Sequence, residues 1–191
     1  MLFETVAVAF LVALLAGGRP RYLEQVRFRQ IWLMVAAFLL QVGLDSAAVQ
    51  GLEWVSRGRI YVHMFSYLLL FLAIYLNWSV PGMKLLGFGS LLNFLVIAAN
   101  QGLMPVRGDI LPPDMLSSLA AGKSGTHGLL LPGTLLKFLG DIIYIPLPYQ
   151  KQLLSFGDII LDVGAFFMIF RGMKPSRSRE CFKFTYVNRK L

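Results

Sequence analysis

Long apolar runs separated by short polar connections dominate the chain. A membrane-spanning α-helix needs about 20 mostly apolar residues, with a lower limit near 17. The pattern predicts an all-α integral membrane bundle of five transmembrane helices, formed by residues 1–173 as a single domain. The five predicted helices are Leu2–Gly17, Ile31–Ala47, Ile60–Trp78, Leu85–Leu103 and Leu153–Met173.

A long segment, residues 104–152, separates the fourth and fifth apolar runs. Pro112 and Pro113 precede Asp114, which predicts a short helix from about Asp114 to Ala121 with Asp114 as its N-cap. The stretch Gly128–Tyr149 is apolar enough to suggest a sixth span. Prolines, glycines, a lysine and an aspartate interrupt it, however, and unpaired backbone groups are costly in lipid. We therefore predict an external lid of short helices and turns.

Composition supports the membrane class. The 191 residues are 57% hydrophobic and 15% charged, whereas soluble domains have about 45–50% and about 25%. The basic residues that give the chain its net charge of +8 lie between apolar runs, which argues against a nucleic-acid partner. The lone Cys181 excludes an intrachain disulfide. The first run contains Glu4 and has no basic residue before it, so we interpret it as a retained anchor and not as a signal peptide.

Basic residues predict the orientation of the bundle. Lys and Arg near helix ends stay on the cytoplasmic side. Twelve of the eighteen basic residues lie in the first and third connections and at the C-terminal end. The N-terminus is therefore predicted outside and the C-terminus in the cytoplasm of a bacterial cytoplasmic membrane. Residues 174–191 are predicted to form a basic cytoplasmic tail that contacts anionic lipid headgroups.

Polar residues within the apolar runs recur at helical spacing and at similar depth. Pairs such as Gln41 and Asp45, four residues apart, share one helix face. A rise of about 1.5 Å per residue places Asp45 about 21 Å from Ile31, in the outer half of the bilayer. Exposing an ionisable group to hydrocarbon costs at least about 2.5–3.5 kcal/mol. The sequence thus predicts an externally open polar pocket. Its predicted ligand-binding residues are Gln41, Asp45, His63, Asn93, Asn100, Arg107, Asp158 and Asp162.

Each of these residues also has a structural interpretation. Arg107, in the lid, is predicted to pair with Asp45, Asp158 or Asp162. The two C-terminal aspartates form either a paired-carboxylate site or a helix cap and a helix–helix hydrogen bond. Asn93 and Asn100 favour cross-helix hydrogen bonds over ligand contacts.

No cofactor, metal ion or catalytic residue is predicted. His63 near Asp45 is a weak metal signature compared with HExxH. His127 lies in a glycine-rich loop, which favours a solvated side chain. Ser117 and Ser118 are not surrounded by a GxSxG motif, so a serine nucleophile has no support.

Four blocks of the sequence resemble a known family. They are "GGRPRYLEQVRFRQIWLMVAAFLLQ", "LLNFLVIAANQGLMPV", "LKFLGDIIYIPLP" and "LSFGDIILDVGAFFMIF". Together they resemble a bacterial multi-pass membrane family catalogued only as a domain of unknown function. The block from Asn100 through Met104, Pro105 and Val106 is the most specific part. The resemblance implies a bacterial cytoplasmic membrane protein of about this length and implies no activity.

The predicted function is binding, either of a small polar ligand or a lipid headgroup, or of a partner membrane subunit. A transporter that works as a homo-oligomer is one alternative, because five spans without repeats and with apolar inner halves provide no polar route in one subunit. A membrane enzyme acting on lipid-linked substrates is the other, with Asp158, Asp162 or His63 as acid/base groups. The absence of a nucleophile motif disfavours the enzyme.

Overall fold

The computed structural model describes residues 2–146 and 151–175, so the predicted basic tail beyond residue 175 lies outside the described residues. The described part is mostly helical. The α-helices are α1 (Leu2–Leu15), α2 (Ile31–Val49), α3 (Trp54–Leu76), α4 (Met83–Ala99), α5 (Pro113–Ala120) and α6 (Phe156–Gly172). The strands are β1 (Met104–Val106), β2 (His127–Leu129), β3 (Ile143–Pro146) and β4 (Lys151–Leu154).

The five longer helices form a bundle in which spatial neighbours follow the order α2, α3, α4, α6, α1. Consecutive helices α2, α3 and α4 are joined by short connections and run antiparallel. Residues 100–146 and 151–155 lie at one end of the bundle, which we call the segment end. The opposite end, which we call the tail end, holds the C-termini of α1 and α6.

Glycines set the close contact between α4 and α6. A Cβ atom added at Gly89 would lie 2.6 Å from the carbonyl oxygen of Gly157, and one added at Gly164 would lie 2.9 Å from the amide nitrogen of Leu86. Such distances fall below van der Waals contact. The two helices therefore pack backbone to backbone, as small residues allow in membrane bundles.

Hydrogen bonds join the connections at the tail end. The backbone N–H of Arg29 donates to Oδ1 of Asn77 at 2.7 Å, and Nδ2 of Asn77 donates to the carbonyl oxygen of Arg29 at 2.8 Å. The N–H of Arg19 donates to the carbonyl oxygen of Met173 at 2.8 Å. These bonds hold the start of α2 against the end of α3, and the end of α1 against the end of α6.

Short strands order the segment end. β1 pairs in parallel with β2, with Met104 opposite His127, and β3 pairs antiparallel with β4. On the other side of β1, the N–H of Asp141 donates to the carbonyl oxygen of Pro105 at 2.8 Å. β1 therefore lies between β2 and Asp141, which brings two distant parts of the segment together.

The strands correct the all-α prediction. Residues 104–152 were expected to form short helices and turns, but the described part of this stretch also contains strands that pair in two small sheets. The alternative sixth span also has no support in the described residues 128–146, which contain strand residues and a short 3-10 turn at Lys137–Leu139 but no α-helix.

The bounds of three predicted helices also need correction. α3 begins at Trp54 and not at Ile60, because Arg57 and Arg59 continue the helix beyond its apolar part. α4 ends at Ala99 and not at Leu103, since Gln101 and Gly102 adopt positive φ angles of 56° and 85°. Residues 151–154 are strand β4, so α6 begins at Phe156 instead of Leu153.

A further correction concerns α5. Its N-cap is Pro112, and the predicted cap Asp114 lies within the first turn. There its negative charge still interacts favourably with the helix N-terminus.

Two of the described helices, α2 and α3, are long and apolar enough to cross a membrane. The apolar helices Phe3–Leu15 and α4 are shorter. α6 contains 17 residues and includes Asp158, Asp162 and Arg171.

Candidate functional site

A cavity of about 370 Å³, which we call the helix cavity, lies between α2, α3, α4 and α6 at the segment end. Polar side chains from all four helices line it, together with three polar residues and one methionine, Met104, of the segment. The polar lining residues are Gln41, Asp45, His63, Tyr67, Ser90, Asn93 and Asp158 from the helices, with Thr126, His127 and Asp141 from the segment.

Asp45 anchors the segment to α2. Its Oδ1 accepts hydrogen bonds from Oγ of Ser124 at 2.9 Å, from the N–H of Gly125 at 2.9 Å and from the N–H of Thr126 at 3.1 Å. The hydroxyl of Thr126 also donates to both carboxylate oxygens, at 2.9 and 2.7 Å. A Cβ atom at Gly125 would lie 2.5 Å from the carbonyl oxygen of Leu44, so only glycine fits this approach. The carboxylate thus holds the loop directly on the helix.

Asp158 is fixed at the start of α6 by a capping box. Ser155 is the N-cap, its Oγ accepts from the N–H of Asp158 at 3.0 Å, and Oδ2 of Asp158 accepts from the N–H of Ser155 at 3.0 Å. Nδ2 of Asn93 in α4 donates to Oδ1 of Asp158 at 2.8 Å, and Oγ of Ser155 donates to Oδ1 of Asn93 at 2.9 Å. This network orients one carboxylate towards the helix cavity.

His63 and Gln41 join α3 to its neighbours. The ring of His63 is buried and its Nδ1 donates to the carbonyl oxygen of Gly102 at 2.7 Å. Nε2 of the neutral ring is then an acceptor. Nε2 of Gln41 donates to Oγ of Ser66 at 3.0 Å, so this side chain links α2 with α3.

A second cavity, of about 700 Å³, lies within the segment, and we call it the segment cavity. Most of its walls are apolar. His127 and Asp141 line both cavities and form the wall between them. The other lining residues include Val106, Ile110, Leu111, Met115, Ser118, Leu119, Lys123, Tyr144 and Leu153.

Asp141 contributes a buried carboxyl group to this shared wall. Its side chain is 10% exposed, and its Oδ1 has no hydrogen-bond partner among the described residues. Burial, with a smaller contribution from the negative charge of Asp158, raises the pKa of Asp141 to about 8. The carboxyl group is therefore protonated at neutral pH in the empty site.

His127 is the second residue of the shared wall. Burial lowers the pKa of this histidine, although 45% of its side chain is exposed. Its Nδ1 lies 2.8 Å from Oγ1 of Thr126, and its Nε2 lies 3.7 Å from Oδ2 of Asp141. The last distance is too long for a hydrogen bond. The two facing groups are therefore close neighbours without a direct bond.

The structure brings five of the eight predicted site residues together around the helix cavity: Gln41, Asp45, His63, Asn93 and Asp158. Their common placement follows from their spacing on four neighbouring helices. Whether they bind a ligand stays a prediction.

The other three lie elsewhere. Asn100 lines a separate cleft and exchanges two hydrogen bonds of 2.9 Å with the backbone of Leu135. Arg107 follows β1 and pairs with Asp109, at 3.0 Å, and not with the predicted aspartates. Asp162 is buried facing α1, where it lies near Glu4 and Thr5.

Sequence reasoning missed the residues of the shared wall. His127 was expected only to be solvated, Asp141 was considered only as an interruption of the apolar stretch Gly128–Tyr149, and Thr126 was not considered. One signal was present: Asp141 is a lone carboxylate in the apolar block "LKFLGDIIYIPLP". An isolated charge between apolar residues is expensive unless it has a role or a partner.

The two cavities combine apolar walls with a small number of polar groups. Apolar walls with a few convergent polar groups are typical of ligand sites. Among the described residues, no three His, Cys, Asp or Glu side chains cluster in a way that could hold a metal ion. Two hydroxyl groups at or beside the helix cavity, those of Thr126 and Ser155, donate to carboxylate or amide oxygens.

Fold and site together define a mostly helical protein with helices apolar enough to cross a membrane and with two adjoining cavities at one end of the bundle. Residues 25–170 match a family of unknown function, DUF5317. The chain belongs to this family, and the expected resemblance is confirmed.

An uncharacterized protein of Thermotoga maritima is 28% identical over 176 residues, which cover 92% of each chain. No solved structure matches the chain. The similarity therefore extends through nearly the whole length of both proteins.

Proposed function

We propose that the chain is a five-span protein of the bacterial cytoplasmic membrane that binds a small amphiphilic ligand in the two adjoining cavities, on the extracytoplasmic side. The ligand is either a lipid headgroup with part of its chain or a free small molecule. Both types combine a polar group, which suits the helix cavity, with an apolar part, which suits the segment cavity.

The outer surface of the bundle supports the membrane assignment. Large apolar side chains are exposed on the surface of α1, α2 and α3, among them Leu11, Leu39, Phe65 and Leu68. Each of these four side chains belongs to a residue that is more than half exposed. Continuous apolar surface of this kind is unfavourable in water and favourable in lipid.

The distribution of charge supports the proposed orientation. Arg19, Arg29, Lys84 and Arg171 lie at the tail end together with the C-termini of α1 and α6. Under the positive-inside rule the tail end faces the cytoplasm. The segment and both cavities then face outwards, where a ligand reaches them from the external medium or from the outer leaflet.

The shared wall is the observation that carries the binding proposal. A buried carboxyl oxygen without a partner costs about 1–3 kcal/mol. Asp141 has such an oxygen at the boundary of two cavities. A bound polar group that approaches this carboxyl from the cavities would offset the cost, whereas a purely structural core would more simply contain an apolar residue.

Mass spectrometry of copurifying molecules tests the proposal. Protein purified from its host membrane is compared with two variants of neighbouring serines on α5, Ser118→Trp and Ser117→Trp. Ser118 lines the segment cavity, whereas the exposed Ser117 donates to the backbone of Asp114. We expect a defined small molecule or lipid with the wild type and with Ser117→Trp, and its loss with Ser118→Trp. Equal recovery from all three proteins, or no defined molecule from the wild type, contradicts ligand binding in the segment cavity.

A further inference from the structure

The hydrogen bonds around Thr126 determine which nitrogen of His127 carries the proton. The Thr126 hydroxyl donates to the carboxylate of Asp45, which can only accept. The single hydroxyl proton is therefore already used. At the 2.8 Å contact between Oγ1 of Thr126 and Nδ1 of His127, the histidine must donate. Nε2 of the neutral ring is left as an acceptor.

This acceptor faces the carboxyl group of Asp141, which becomes a second acceptor when it loses its proton. Oδ2 of Asp141 lies 3.7 Å from Nε2 of His127, and Oδ1 of Asp141 is buried without a partner among the described residues. A single nitrogen atom can lie about 2.8–3.0 Å from both facing atoms at once. The wall between the cavities therefore has the geometry of a site for a hydrogen-bond donor.

We propose that the ligand carries a primary ammonium group, which binds between Nε2 of His127 and the carboxylate of Asp141. This inference rests on the proposed binding function and names the chemical class of the ligand. An ammonium group has three N–H donors, enough to reach both acceptors and one more oxygen. Its positive charge also suits a region where Asp141, Asp158 and Asp45 all line the helix cavity.

The rest of the ligand is apolar near the wall. Leu111, Met115, Leu119 and Leu153 line the segment cavity. Lys123 also lines it and provides a positive charge that would pair with a phosphate. The shared chemistry therefore fits both a free alkylamine and the headgroup of an aminophospholipid, and Lys123 distinguishes these two sources.

Binding of an ammonium group should depend on pH. With the pKa of Asp141 raised to about 8, the empty site is protonated at neutral pH and must lose this proton to bind a cation. An alkylamine, with a pKa close to the value of about 10.4 for lysine, stays charged up to pH 9. Affinity should therefore increase up to about tenfold per pH unit from pH 6 to 8 and level off above. The other titratable or charged groups that line the two cavities are Asp45, His63, Tyr67, Lys123, His127, Tyr144 and Asp158.

Calorimetric titration with two probes of equal length tests the inference. The full-length protein in phosphatidylcholine nanodiscs is titrated with n-hexylamine and with n-hexanol. We compare wild type with Asp141→Asn and with the control Asp109→Asn, which removes an exposed carboxylate paired with Arg107. Empty nanodiscs correct for partition into the lipid.

We expect the wild type and Asp109→Asn to bind n-hexylamine at least about tenfold more tightly than n-hexanol at pH 8, and Asp141→Asn to lose this preference. Equal affinities for both probes in the wild type, or an unchanged preference in Asp141→Asn, would overturn the ammonium inference. If either of these results is obtained and n-hexanol still binds, the ammonium inference is overturned but the proposal that the cavities bind a ligand is not. Binding of neither probe, together with no copurifying molecule, overturns both.

A second titration distinguishes a free alkylamine from an aminophospholipid as the ligand. Phosphoethanolamine carries the phosphate and the ammonium group of the lipid headgroup without its chains. For an aminophospholipid ligand, Lys123→Gln should weaken the binding of phosphoethanolamine at least about fivefold and leave n-hexylamine unchanged. Equal binding of phosphoethanolamine to both proteins assigns the site to a free amine.

Discussion

At the scale of single residues, neighbours determine what two carboxyl groups of the segment end can do. Asp45 accepts hydrogen bonds from Ser124, Gly125 and Thr126, so its charge is well compensated. Asp141 lies in the same cavity wall but has an oxygen without a partner among the described residues. The first carboxylate therefore stabilises the fold, whereas the second destabilises it and is available to a ligand.

This difference predicts how Asp141 affects stability as pH changes. The pKa of Asp141 is raised to about 8 in the folded protein and is about 3.9 in an unfolded chain. Between these values the folded state holds a proton that the unfolded state has released. The contribution of Asp141 to stability therefore falls as pH rises, by at most about 1.4 kcal/mol per unit, and is constant above pH 8.

Asp141→Asn, which does not titrate, should therefore become progressively more stable relative to the wild type from pH 5 to pH 8. Melting temperatures of both proteins in one detergent, measured from pH 5 to 9, check this. Asp109→Asn should show no such trend, since Asp109 is exposed. A difference between wild type and Asp141→Asn that stays the same at every pH would contradict the prediction.

The two aspartates also show which cavity residues a sequence pattern can predict and which it cannot. Asp45 was predictable as a site residue because its helix and its spacing from Gln41 define its direction. Asp141 and His127 meet only because each pairs with a different side of β1. Strand pairing between segments far apart in sequence leaves no local periodicity, so the wall between the cavities was not predictable.

At the scale of elements, the apolar runs predicted the existence of all five longer helices but not all of their ends. Helix ends depend on backbone conformation and capping. Gln101 and Gly102 end α4 through positive φ angles, and Ser155 starts α6 through a capping box. The short strands escaped prediction because three or four residues carry too little periodicity.

Substitution by alanine should change stability in opposite directions at two glycines, one in α4 and one in α2. Gly89→Ala places a Cβ atom 2.6 Å from the Gly157 carbonyl oxygen and 2.9 Å from the amide nitrogen of Leu161. Both contacts are with backbone, so α4 and α6 must separate, and we expect a loss of about 1–3 kcal/mol. Gly43→Ala in α2 meets no atom within 4 Å and should stabilise the helix by up to about 1 kcal/mol.

Thermal unfolding of both variants in the same detergent measures this contrast. A lower melting temperature for Gly89→Ala with an equal or higher one for Gly43→Ala supports backbone contact between α4 and α6. If both variants melt as the wild type does, the two helices are farther apart than described.

At the scale of the whole molecule, the proposed five-span topology would place the segment and the C-terminal tail on opposite sides of the membrane. One cysteine in the sequence, Cys181, lies in the tail, and the exposed Ser117 lies on α5. Only α6 separates them among the described helices. An odd number of crossings between these two positions puts them on opposite sides, whereas a sixth span at residues 128–149 would put them on the same side.

Labelling of spheroplasts with a membrane-impermeant maleimide tests this arrangement. In a Cys181→Ser background, Ser117→Cys should react in intact spheroplasts if the segment faces outwards as proposed. Native Cys181 should react only after permeabilisation, because the positive-inside rule predicts that the basic residues of the tail around it lie in the cytoplasm. Reaction of both positions from outside would indicate an even number of crossings between them. Reaction of Cys181 alone would indicate the opposite orientation. The cavities would then open to the cytoplasm, where a ligand of the outer leaflet has no access.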